Sequence, residues 1–149
     1  MKKIAIATLL AVAALSASAV EVGVTATRDY AGPNHDMGGI TIGTKVAGYG
    51  VTGGFESIEA HGRRQDRFSV VADKQVATVG PVALTGRVGV AYLDNSIASD
   101  GFAMTVGVGA SYALTKSTSL TLAADHQYGD TRVDRFDGNR ITVGIKTGF

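Results

Sequence analysis

Residues 140–149 read Arg-Ile-Thr-Val-Gly-Ile-Lys-Thr-Gly-Phe, and their alternation decides the fold. Ile141, Val143, Ile145 and Phe149 fall on one face, broken only by Thr147, while Arg140, Gly144, Lys146 and Gly148 fall on the other. A period of two belongs to a strand lying between two unlike surroundings. A wide apolar face opposite a charged, glycine-rich one predicts lipid on the outside and a narrow polar interior.

The same pattern recurs along the chain and predicts strands over 20–30, 38–48, 50–59, 67–77, 82–92, 102–113, 119–128 and 140–149. Each is close to the roughly ten residues that a tilted membrane strand needs. Longer connections at 31–37, 60–66, 93–101 and 129–139 alternate with short ones near Gly48, at Gly80-Pro81 and over 115–118. Long loops on one side and short turns on the other are the pattern of a membrane β-barrel. The fold class predicted is all-β, an eight-stranded antiparallel up-and-down transmembrane barrel over residues 20–149.

The apolar face collects Val22, Val24, Ile40, Ile42, Val46, Val51, Phe55, Val70, Leu84, Val88, Val90, Met104, Val106, Val108, Leu120, Leu122, Ile141, Val143 and Ile145. The opposite face collects Glu21, Lys45, Glu56, Asp73, Arg87, Asp125, Arg140 and Lys146, interspersed with glycines and threonines. Its acids and bases are equal in number. A buried charge without a partner costs several kcal/mol of desolvation, so these eight are expected to form an ionic network filling the lumen.

Aromatic residues mark the two ends. Tyr30, Phe68, Tyr92, Phe102 and Tyr128 fall beside the longer connections, and Tyr49, Tyr112 and Phe149 at the opposite ends, as two interfacial girdles would place them. Phe55 reads as an isolated mid-strand ring. Lys74 is a misfit, turned toward lipid by strict alternation; a bulge over residues 72–75, or snorkelling to the nearer interface, would accommodate it.

The amino-terminal residues agree with export. Met1–Ala19 carries Lys2 and Lys3, an apolar run and Ala17-Ser18-Ala19, which reads as a secretory signal peptide with a small-residue cleavage site. The run is too short for a membrane helix. Val20 is therefore the expected first mature residue, and loss of the two lysines moves the formal charge from +1 to −1. No nucleic-acid partner is expected. There is no cysteine, hence no disulfide and no thiol chemistry. Both prolines, Pro33 and Pro81, lie in connections, where a missing backbone donor breaks no ladder.

The signal peptide, the eight short strands, the Gly80-Pro81 turn before Val82-Ala83-Leu84-Thr85, and the terminal Phe149 together resemble the small outer-membrane β-barrels of the OmpA transmembrane-domain, OmpX and NspA type. The resemblance covers residues 20–149. It implies a monomer in the outer membrane of a Gram-negative bacterium, in contact with outer-membrane lipid and lipopolysaccharide. It also implies that Val143, Ile145 and Phe149 form the signal read by the barrel-insertion machinery. No peptidoglycan-binding segment follows Phe149 in this sequence, so an anchoring role is not expected.

Chemistry is sparse. Gly48-Tyr-Gly-Val-Thr-Gly53 spells a dinucleotide fingerprint but lies between two strands, where a glycine-rich turn explains it. His126 beside Asp125 suggests a catalytic pair, yet neighbouring strand residues point to opposite faces. The His-x-Ser spacing of lipid A deacylases is also missing, since residues 126–128 are His-Gln-Tyr. His35 and His61 lie in different loops, and Asp130, Asp134, Asp137 and Asn139 lack a calcium-loop pattern. No catalytic residue, metal or cofactor is expected. His61, Arg63, Arg64 and Arg67 form a basic cluster read as an outer-rim contact for lipopolysaccharide phosphates.

The expected function is that of a non-enzymatic barrel with a filled lumen and short surface loops, serving envelope structure or surface interaction. A narrow ion or small-solute pore is the alternative. A soluble periplasmic lipocalin-like barrel, which would hold its apolar side chains inside, and a lipid A-modifying enzyme stand behind these.

Overall fold

A computed structural model of the chain describes residues 19–30, 35–60, 63–95, 100–130 and 137–149. The expected signal peptide lies outside the described residues, apart from Ala19. Eight strands follow in chain order: β1 (Val20–Asp29), β2 (His35–Val46), β3 (Tyr49–Ala60), β4 (Arg63–Val79), β5 (Val82–Asn95), β6 (Gly101–Ala113), β7 (Thr118–Gly129) and β8 (Gly138–Gly148). Each pairs antiparallel with its neighbours, and β8 pairs with β1 to close the barrel. Closure leaves no sheet edge around the wall, which a lipid-embedded sheet requires.

The short connections define a turn end and the others a loop end. At the turn end β2 and β3 are joined through Ala47 (φ 51°) and Gly48 (φ 83°), the two positive φ values that a tight hairpin of matching twist needs. The Gly48–Gly53 motif is thus a turn and the start of β3, with no helix for a phosphate to meet. Gly80 (φ 57°) and Pro81 make the β4–β5 turn. The ladder is staggered. From Gly23 near the start of β1, one hydrogen-bonding row runs through Thr41, Gly54, Ser69, Ala91 and Ala103 to Gly129 at the end of β7. That stagger is the shear that closing a tilted sheet demands.

Sidedness follows the alternation. Val24, Ile40, Val90, Val108 and Leu122 project outward with half or more of their surface exposed. Thr27, Asp29, Gln127 and Arg140 are buried in the lumen. An apolar exterior around a polar core is the reverse of a lipocalin-like soluble barrel and removes that alternative.

Several boundaries differ from the sequence expectation, among them the start of β2, which takes in His35 and Met37 from an expected connection. β4 begins at Arg63 and runs to Val79, and β5 reaches Asn95, so residues 63–66 belong to a strand, not to a loop. Phe55 is not isolated: it pairs with Phe68, which pairs with Tyr92, which pairs with Phe102. The rings of Phe55 and Phe68 lie 5.0 Å apart and those of Tyr92 and Phe102 5.2 Å apart, so four strands share one aromatic row. The bulge falls at Val76, between Gln75 and Ala77, beyond Lys74. Lys74 therefore stays on the outer face, its ammonium 5.0 Å from the centre of the Tyr49 ring at the turn end.

Candidate functional site: the ionic lumen

Strand parity points one residue in two at the barrel axis, and in the loop half those residues build a closed network. Glu56 of β3 accepts hydrogen bonds from Arg67 of β4 (2.9 Å) and from Arg140 of β8 (2.8 Å). Thr27 of β1 donates to the other Glu56 oxygen and lies 2.9 Å from the Thr142 hydroxyl. Arg140 also donates to Asp29 at 3.3 Å, and Arg67 to Gln127 at 3.3 Å. All of these charged groups are buried. Met37 pairs with Thr27 and Leu93 with Arg67, and both apolar side chains are fully buried against the network. Buried in this way, each charge depends on the others, because several kcal/mol of desolvation per ion must be recovered from close, hydrogen-bonded contact.

The turn half is looser. Arg87 of β5 bonds Asp125 of β7 at 3.1 Å. Lys146 lies 4.0 Å from Glu21 and 3.3 Å from the Thr52 hydroxyl. Asp73 faces the same space without an ion pair among the described residues. A polar cavity of about 60 Å³ opens between them, lined by threonines and by the undersides of Glu56, Arg67 and Arg140. It has room for a few waters.

Of the eight residues read as the lumen network, the structure brings Glu56 and Arg140 together, joins Arg87 to Asp125, and sets Lys146 near Glu21 with Asp73 beside the cavity. Lys45 departs from that reading. It holds the inward register opposite Gly50 but sits at the mouth beside the β2–β3 turn, exposed and without an ion pair among the described residues. Arg67 departs from the rim reading. Its register partner is Glu56, and Phe68 beside it faces outward, so parity turns Arg67 into the lumen. The signal was present in the alternation of Phe68 and Val70. Asp29 and Gln127 share the inward parity of Glu21 and Asp125 inside the strands expected over 20–30 and 119–128, so their signal too was present in the alternation.

The remaining rim cations divide. Arg64 stays outside, half-exposed and held by two nitrogens on Asp66 (3.0 and 2.9 Å), which also accepts from Ser57. His61 lies outside the described residues, as do the side chains of His35 and Arg63. His126 faces outward, its Nδ1 3.0 Å from Asn139 and its ring against Tyr128, while Asp125 faces inward to Arg87. The two therefore form no catalytic pair. No cluster of three metal-ligating side chains occurs among the described residues.

The girdle residues flank this core. Tyr30, Phe102 and Tyr128 are exposed at the loop end, with Arg28 stacked 5.8 Å from the Tyr30 ring; Tyr49, Tyr112 and Phe149 are exposed at the turn end. The Phe149 amide donates to the Val20 carbonyl at 2.9 Å, tying the last residue to the start of β1. Val143 and Ile145 face outward beside it.

A family model described as YfaZ precursor matches residues 1–133. The chain belongs to that family. Among solved structures, this family member is similar to the N-terminal β-barrel domain of Pseudomonas aeruginosa OprF, with a TM-score of 0.71 at 18% identity over 89% of this chain and 98% of that one. It is also similar to neisserial surface protein A (TM-score 0.63, 14% identity, 88% of this chain and 96% of that one). A third is Ail, the attachment invasion locus protein of Yersinia pestis (TM-score 0.54, 13% identity, 88% and 97%). No curated protein matches the sequence. By fold, the YfaZ-family chain is a closed eight-stranded antiparallel β-barrel like those of these outer-membrane proteins.

Proposed function

We propose that this YfaZ-family barrel is a non-enzymatic, non-conducting monomer of the outer membrane, serving envelope structure or surface interaction with its lumen shut by its own side chains. The observation that carries this reading is Glu56, held at once by Arg67 from the adjacent strand and by Arg140 from β8, 84 residues away in sequence. An eight-stranded interior is just wide enough for side chains to fill it. Refolded protein in planar bilayers is expected to give no steady unit currents; steady currents would overturn the plugged reading. The alternative of a narrow pore draws support from the polar cavity of the turn half, but its path would have to pass the Glu56 cluster.

Two partners belong to the same proposal. Arg64, on the outer face beyond Phe68, is the rim cation offered to lipopolysaccharide phosphate, with His61 and Arg63 beside it in sequence. Replacing Arg64 with Gln should weaken retention of lipopolysaccharide by the purified barrel. The outward Val143 and Ile145 and the terminal Phe149 are offered to the insertion machinery, and removal of Phe149 should lower the amount of folded protein reaching the outer membrane.

A further inference from the structure

The β4–β5 hairpin runs on past β3 at the turn end. The β3–β4 ladder stops at Gly50 opposite Asp73, whereas β4 continues to Val79, paired only with β5. The bulge at Val76 resets the side-chain parity. Val76 then points outward over Gly86, and Ala77 and Val79 point outward opposite Leu84 and Val82. Gln75 and Thr78 take the other face, joined by a 2.8 Å hydrogen bond. The tip is thus two-sided. Val76 is 69% exposed and Val79 64%, as bare as Val108 in the middle of the lipid-facing belt at 62%.

This apolar surface does not stand alone. Val79 pairs with Val82, Val82 with Tyr112, and Tyr112 with Leu120, so one row leads from the hairpin tip into the lipid belt of β6 and β7. On the other flank, the β4 edge beyond Asp73 has no strand beside it among the described residues. Open sheet edges do not occur in hydrocarbon, where nothing answers their N–H and C=O groups. Headgroups and their water do answer them, and Lys74 with Tyr49 marks that level on the β3 side.

We propose that the β4–β5 tip is a membrane-surface element, seating Val76, Val79 and Val82 among the headgroups and upper acyl chains of the turn-end leaflet while Gln75, Thr78 and the free β4 edge stay wet. An apolar face opposite a polar one is what an interface-lying segment requires. The barrel then meets that leaflet unevenly, more deeply along β4–β6 than along β2–β3. The inference rests on the chain being lipid-embedded.

The test uses single-cysteine variants of this cysteine-free chain, Val79→Cys, Val76→Cys, Thr78→Cys, Ser117→Cys and Val108→Cys, each carrying an environment-sensitive fluorophore. All are refolded into phosphatidylcholine vesicles and checked by heat-modifiable gel mobility. Lipids with a nitroxide near the carbonyl or near the terminal methyl, and iodide in the water, serve as quenchers. Labels at Val79 and Val76 should be blue-shifted, quenched by the carbonyl-end nitroxide and resistant to iodide; those at Thr78 and Ser117 should be quenched by iodide. Iodide access at Val79 and Val76 equal to that at Ser117 would overturn the proposal, as would shielding from both quenchers, the mark of a protein partner or a second copy. Iodide access at Val108 would instead sink the lipid-embedded reading itself.

Discussion

The two halves of the lumen are built from the same residue types and hold their charges differently. In the loop half Glu56 is bonded by two guanidinium groups and a hydroxyl, Asp29 accepts from Arg140, and Met37 and Leu93 are fully buried beside them. In the turn half Lys146 and Glu21 are 4.0 Å apart, Asp73 has no ion pair among the described residues, and a cavity with room for a few waters opens beside Lys146 and Asp73. The difference teaches that a balanced set of charges does not make a plug. What distinguishes the loop half is that each buried charge there is held by direct, short contacts to its partners.

The largest expected effect is at Glu56. Glu56→Gln leaves Arg67 and Arg140 facing each other without their shared acid, and breaking a buried ion pair from one side costs about 3–5 kcal/mol. Equilibrium urea unfolding in detergent micelles should show that loss; a change below about 1 kcal/mol would erase the distinction between the halves. A double-mutant cycle pairing Glu56 with Arg140 should likewise give a larger coupling than one pairing Glu21 with Lys146.

The barrel wall offers a second contrast on a single strand. Gly39 and Gly43 both face inward from β2. A Cβ on Gly39 would stand 2.6 Å from the Phe55 carbonyl oxygen and 2.7 Å from Glu56 Cγ, whereas one on Gly43 would first meet the Thr52 hydroxyl at 3.0 Å. The first contact is with fixed backbone and the second with a group that can rotate. Gly39→Ala should destabilise by about 1–3 kcal/mol, as overpacking does, and Gly43→Ala by less. Equal losses in the same unfolding assay would mean that the turn half is packed as tightly as the loop half.

Much of this contrast could be read before any coordinates. Alternation assigned the outward valines and most inward charges, and with the Gly80-Pro81 turn it carried the resemblance to small outer-membrane barrels. What alternation could not supply was register, because that depends on where hairpins turn. Phe55 became a member of an aromatic row, and Arg67 a partner of Glu56, only once β3 and β4 proved to run on to Ala60 and from Arg63. Met37 and Leu93 escaped notice for the same reason, since they lie in stretches read as connections. The bulge at Val76 has no signature in a run of small and apolar residues, so Lys74 could be recognised as a misfit but not placed.

The smallest expected effect closes the comparison at Lys146. Its ammonium is 4.0 Å from Glu21, whose side chain is one-third exposed, and its nearest described partner is a threonine hydroxyl. Removing that charge strands no fully buried acid, since Glu21 is partly exposed and Asp73 borders the cavity. Weakly held, partly solvated pairs contribute from nothing to about 1 kcal/mol. Lys146→Gln, which keeps a donor for Thr52, should therefore leave the urea midpoint within about 1 kcal/mol of the parent and the bilayer silent. Steady unit currents from this variant alone would show that Lys146, not the Glu56 cluster, closes the lumen.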